Sequence, residues 1–86
     1  MSGGGVGRTI RLIVADVAGR DAEFADELTD DTELFGSGVG LGSVSGARLL
    51  EAVEERLGVD VAGEDLNLDS LRTIGTLTEF VAARVR

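Results

Sequence analysis

Apolar residues recur at intervals of three and four positions in three separate segments of the chain, and this spacing is the strongest constraint on its fold. The residues are Ile10, Ile13, Val14 and Val17 in the first segment, Ala47, Leu49, Leu50, Val53 and Leu57 in the second, and Ile74, Leu77, Phe80, Val81 and Val85 in the third. No sustained alternation of apolar and polar residues indicates a strand. The pattern therefore predicts an all-α bundle of three main helices.

Residues at the edges of these segments predict where the helices begin and end. Gly19 and Gly58 follow the first and second segments, as terminating glycines do. Ser43 and Thr73 precede or open the second and third, and their side-chain oxygens are suited to accept a backbone N–H of the first turn.

The connections between the helices differ in length. Residues 20–42 predict a long acidic loop after the first helix, anchored by four apolar side chains, of which the first two lie on a short helical turn: Phe24, Leu28, Leu34 and Phe35. The loop ends in a run with glycine at alternate positions from 36 to 42, which permits unusual backbone angles and close approach of another molecule. Leu66, Leu68 and Leu71 predict a short fourth helix. We expect residues 1–7 to form a flexible Gly-rich tail and residues 8–86 a single domain.

Composition argues against most catalytic chemistry. The chain has no Cys, no His and no Lys, so a serine nucleophile would need a carboxylate as its base. The acidic cluster of Asp30, Asp31 and Glu33 lacks the spacing of a helix–loop–helix calcium site. The glycine run is not followed by the Gly-Lys-Ser/Thr of a phosphate-binding P-loop. We expect no catalytic residues and no bound metal.

Charge is unevenly distributed along the chain. The net charge is −8, and residues 21–69 alone contribute −12, because they hold fourteen acids against Arg48 and Arg56. Such a surface repels nucleic acid and anionic membranes and attracts basic partners, although it also serves as a solvated face that keeps a small domain soluble. No apolar run is long enough to cross a bilayer. We expect a cytoplasmic monomer that binds neither nucleic acid nor membrane.

Two stretches occur in a characteristic order. The first, DDTELFGSGVGLGSVSGARLLEAVEERLGVDV, opens at Asp30, and the second, EDLNLDSLRTIGTLTEFV, opens at Glu64. Together they resemble the acyl carrier protein family, which includes the peptidyl and aminoacyl carriers. The second stretch looks more like the discrete carriers of nonribosomal and polyketide pathways than like the carrier of bulk fatty-acid synthesis.

The resemblance implies a function for Ser43, which stands where the family carries covalent 4′-phosphopantetheine. A phosphopantetheinyl transferase would attach the arm, and its thiol would hold an acyl or aminoacyl group as a thioester. Adenylating or acyl-transferring enzymes and condensing enzymes would then act on the cargo. The implied docking residues lie on the second main helix: Val44, Ala47, Arg48, Glu51, Glu54 and Glu55.

Departures from the family pattern leave alternatives open. The family often has Asp where this chain has Gly42, an acid where Arg48 stands and an apolar residue where Glu51 stands. Ser70 lies in a more literal copy of the family's "LDSL" motif, but only sixteen residues follow it, too few for the helices that come after the modified serine. We therefore favour Ser43 over Ser70, Ser37 and Ser45. The alternatives are an unmodified acidic interaction domain, in which Ser43 is only a helix cap, and a fatty-acid carrier.

Overall fold

The fold is all-α, as the apolar spacing predicts. A computed structural model describes residues 2–61 and 68–85 of the chain. Its four α-helices are α1 (Ser2–Val17), α2 (Ala22–Glu27), α3 (Ser43–Leu57) and α4 (Ile74–Ala82), and a short 3₁₀ helix covers Leu68–Leu71. The 3₁₀ helix confirms the predicted short element before α4, although Leu66 lies outside the described residues. The six-residue α2 contains Phe24 and ends just before Leu28.

Helix α1 begins earlier than predicted. It starts at Ser2, so the prediction that residues 1–7 form a tail outside the fold is wrong for residues 5–7. Val6 is buried and extends the apolar stripe of Ile10 and Ile13 by one turn. A Cβ added at the buried Gly7 would lie 3.7 Å from Thr78 of α4, so the two helices are close at this point. Tertiary packing thus overrides the low helix propensity of the glycines.

The predicted helix ends are confirmed at three positions. Gly19 has a φ of +76° and ends α1 in a Schellman arrangement, with its N–H bonded to Asp16 O and the N–H of Arg20 bonded to Ala15 O. Gly58 ends α3 in the left-handed conformation. Thr73 caps α4 by accepting from the Thr76 N–H at 3.1 Å, and the Thr76 hydroxyl accepts from the Thr73 N–H at 3.0 Å.

The core is formed by the apolar stripes of the three long helices, with α1 packed against α2, α3 and α4. In α3 the fully buried side chains are Leu49 and Val53, whereas Leu50 and Leu57 are half-buried and Ala47 is exposed. Each fully buried side chain of this size contributes about 1.5–3 kcal/mol relative to an exposed one. The opposite face of α3 is thereby fixed towards solvent.

The long acidic loop is attached to the helices by ion pairs and backbone contacts. Arg8 pairs with Asp26 at 3.2 Å, and Arg11 with Asp30 at 2.8 Å. The Gly75 N–H of α4 donates to Asp30 O at 2.9 Å, and a Cβ at Gly75 would lie 2.9 Å from that same oxygen. Leu34, one of the predicted anchors, is fully buried, and Leu28 is nearly so. The loop therefore has a defined path to the start of α3.

Candidate functional site

The glycine-rich segment before α3 is folded back on itself. Val39 N–H donates to Glu33 O at 2.7 Å, and Leu41 N–H donates to Leu34 O at 3.0 Å. A Cβ at Gly38 would overlap the backbone of Glu33, so only glycine fits there. The sequence predicts close approach of another molecule to this segment, whereas the group that lies against Gly38 is the chain's own backbone at Glu33. This folding holds the start of α3 in place.

The N-terminus of α3 has no side-chain cap. The cap position is Gly42, in an extended conformation, and Ser43 is the first helical residue. The prediction that the Ser43 oxygen caps the helix is therefore wrong. A capping side chain belongs to the residue just before the first turn, and that residue is Gly42, whereas Ser43 is already part of the helix. The first N–H groups of any α-helix lack an intrahelical acceptor and give this end a partial positive charge.

The Ser43 side chain is accessible. It is exposed, and within residues 2–61 and 68–85 no hydrogen bond involves its hydroxyl. The three alternative serines differ from it. Ser37 donates to Glu33 Oε1 at 3.4 Å, Ser45 is half-buried, and Ser70 is half-buried within the 3₁₀ helix, where its carbonyl oxygen accepts from Thr76.

The face of α3 that points away from the core is continuous with Ser43. All six residues predicted for docking are exposed on α3: Val44, Ala47, Arg48, Glu51, Glu54 and Glu55. Val44 has 69% of its surface exposed and is the one large apolar side chain so exposed among the described residues. A single accessible apolar side chain surrounded by charges is a small contact point for another protein.

A cavity of about 470 Å³ lies next to this end of α3. It is lined by Glu33, Phe35, Gly36, Leu71, Arg72 and Thr73. The Phe35 ring packs against Gly46, where an added Cβ would be 3.0 Å from Cε1. The first turn of α3 and the cavity therefore share the Phe35 ring as a wall. The sequence pattern does not predict this cavity, although Gly46, a glycine inside an otherwise regular helix, indicates the close contact with Phe35.

The model of one protein family matches residues 8–81, nearly the whole chain, and its description is "phosphopantetheine attachment site". The chain belongs to this carrier protein family. Members of the family are the site of covalent 4′-phosphopantetheine attachment on a serine. Carrier domains are modified by phosphopantetheinyl transferases, interact with partner enzymes and are generally not catalytic themselves. No curated protein and no solved structure matches the chain.

The residues at the start of α3 fit the phosphopantetheine group. A phosphodiester needs an accessible hydroxyl as its point of attachment and is stabilised by nearby N–H donors. The exposed Ser43 hydroxyl and the uncapped N-terminus of α3 supply both. In the part of the chain that the structure describes, no group of three or more His, Cys, Asp or Glu side chains is placed to hold a metal ion. None of the described helices is long and apolar enough to span a membrane.

Proposed function

We propose that Ser43 is the attachment residue and that the chain carries acyl or aminoacyl intermediates for a polyketide or nonribosomal type of pathway. The proposal rests mainly on the Ser43 side chain, which is exposed at the uncapped start of α3 and whose hydroxyl has no hydrogen bond to any described residue. The chain also belongs to a family whose members carry the arm on a serine. When bound, the arm supplies the thiol that holds the cargo as a thioester. A cytoplasmic location, where coenzyme A and the partner enzymes would meet the chain, is part of the proposal.

The chain's own residues have three tasks under this proposal. The folded segment before α3 keeps Ser43 at a fixed place, so that the transferase meets the hydroxyl in one geometry. The N–H groups of the first turn of α3 stabilise the negative charge beside it. The exposed face of α3 binds partner enzymes briefly, with Val44 in a shallow apolar pocket and Glu51, Glu54 and Glu55 facing basic side chains.

Intact-mass measurement tests the attachment residue. The protein is incubated with coenzyme A and a broad-specificity phosphopantetheinyl transferase, and we expect it to gain the mass of one phosphopantetheine. Ser43→Ala should abolish the gain and leave the helical circular dichroism unchanged, whereas Ser70→Ala should be modified as the wild type is. Modification of Ser43→Ala together with none of Ser70→Ala would reverse the assignment.

Salt dependence tests the role of the acids. Because long-range attraction between an acidic carrier and a basic partner is screened over roughly 10 Å at 0.1 M salt, we expect the transferase reaction to slow as salt rises at subsaturating carrier concentration. The charge-neutral variant Glu51→Gln should show a weaker salt dependence than the wild type. A rate that does not change with salt would remove the docking role from these residues.

A second candidate, an unmodified helical domain in which Ser43 acts only as a helix cap, has less support. Gly42 occupies the cap position of α3, and no side-chain cap is formed there. A fatty-acid carrier stays an alternative within the family, and loading tests with malonyl and aminoacyl donors distinguish it from the pathway proposed here.

A further inference from the structure

Arg48 differs from most of the arginines that the structure describes, because it has no ion pair or ring contact with any described residue. Of the seven that the structure describes, three form ion pairs with acids: Arg8, Arg11 and Arg56. Two more lie over phenyl rings, namely Arg20 over Phe24 and Arg84 over Phe80. Arg48 and Arg72 make neither contact with any described residue, and of the two only Arg48 lies on the exposed face of α3.

The polarity and charge of the side chains change in a definite order along the exposed face of α3. Starting from Ser43, the side chains along it are Val44, Arg48, Glu51 and Glu55, spaced four, three and four residues apart. The face is thus apolar beside Ser43, positive one turn further, and negative in its second half. Glu51 is one turn from Arg48, within reach of an ion pair, yet the two side chains are not paired.

A uniformly basic partner surface is not complementary to a helix face that carries both Arg48 and the acids Glu51 and Glu55. Basic side chains opposite Glu51 and Glu55 are favourable, but one opposite Arg48 would place like charges together at the interface, which is unfavourable. A carboxylate at that one position removes the repulsion and forms a bidentate contact with the guanidinium.

We propose, building on the proposed carrier function, that Arg48 is a docking contact for the phosphopantetheinyl transferase. The phosphopantetheinyl transferase that acts on Ser43 places a carboxylate against Arg48, between an apolar depression for Val44 and basic side chains for Glu51 and Glu55. Arg48 forms this contact in the encounter and does not take part in the chemistry at Ser43.

The test measures kcat and KM for arm transfer from coenzyme A by the broad-specificity transferase. Arg48→Glu should lower kcat/KM about tenfold, mostly through KM, because an attractive contact becomes a repulsive one. Arg48→Lys keeps the charge and should stay within about threefold of the wild type.

The matched control is Arg20→Glu, which changes the net charge by the same amount. Arg20 lies beside Asp16 and Arg56 at the far end of the bundle from Ser43. A more negative protein attracts a basic transferase slightly better at long range, so Arg20→Glu should leave kcat/KM unchanged or raise it by less than about twofold. Equal effects of Arg48→Glu and Arg20→Glu, or a faster reaction of Arg48→Glu, would overturn the proposal. A wild-type protein that takes up no arm at all would instead overturn the carrier function.

Discussion

The N-termini of α3 and α4 are built in opposite ways. At α4 every polar group of the cap is used inside the protein: Thr73 and Thr76 form a reciprocal capping box, and Thr76 also donates to the Ser70 carbonyl. At α3 the cap residue is a glycine, and the adjacent Ser43 hydroxyl is exposed without a hydrogen bond to any described residue. The N-terminus of α4 is therefore a structural junction, whereas the N-terminus of α3 is left accessible.

Glycine has a different structural role at the N-termini of α4 and α3. In the first turn of α4, Gly75 leaves room for the backbone of Asp30, which holds the acidic loop against the helix. At the cap of α3, Gly42 has a negative φ and no neighbour within 4 Å of an added Cβ, so neither the backbone nor the packing requires glycine there. Substitutions at the two positions therefore distinguish a glycine that the packing requires, Gly75, from one that it does not require, Gly42.

The largest effect on stability is expected from Gly75→Ala. Its new Cβ would lie 2.9 Å from Asp30 O and from Asp30 Cβ, so the loop or the helix has to shift. Overpacking of this kind lowers the free energy of unfolding by about 2 kcal/mol, measured by urea denaturation. Gly5→Ala is the matched control, because it lies in α1 with no neighbour within 4 Å. Similar unfolding curves for the two variants would contradict the close contact.

A smaller effect is expected from Thr73→Ala. Removing this hydroxyl breaks the capping box and leaves the Thr76 N–H without its acceptor, which costs about 1 kcal/mol of unfolding free energy, measured by urea denaturation.

Ser43→Ala removes a hydroxyl at the start of α3 and should change the free energy of unfolding by less than about 0.5 kcal/mol. If Ser43→Ala cost as much as Thr73→Ala, Ser43 would be a cap after all, and the contrast between the two helices would fail.

The smallest effect is a gain, expected from Gly42→Asp. The introduced carboxylate would accept from a first-turn N–H of α3 and interact favourably with the helix dipole, raising the unfolding free energy by about 0.5 kcal/mol at neutral pH. Thermal unfolding of the variant against the wild type measures the gain. A loss of stability would mean that the cap position tolerates only glycine, contrary to its conformation.

Much of this comparison follows from local sequence signals. Thr73, Gly19 and Gly58 mark helix ends by well-defined backbone chemistry, and the apolar spacing identifies the buried faces. The exposed position of the α3 residues proposed for docking follows from the same spacing, since they lie opposite Leu49 and Val53.

Local sequence signals do not predict the features that depend on tertiary contacts. Ser43 was predicted to cap α3, but the cap is one residue earlier, because the chain leaves the glycine-rich segment in an extended conformation at Gly42. Helix propensity predicts that α1 starts after the glycines, because their low propensity conceals the single core residue Val6. The cavity beside Phe35 arises where the loop, the 3₁₀ helix and the start of α4 meet, and no local pattern encodes such a junction.

Mapping the attached arm by fragment-ion mass spectrometry tests the central claim most directly. After incubation with coenzyme A and the transferase, the protein is digested and the modified peptide is sequenced. We expect one phosphopantetheine per chain, located on Ser43. An arm on Ser70, Ser37 or Ser45, or an unmodified Ser43 in a fully active transferase reaction, would contradict it.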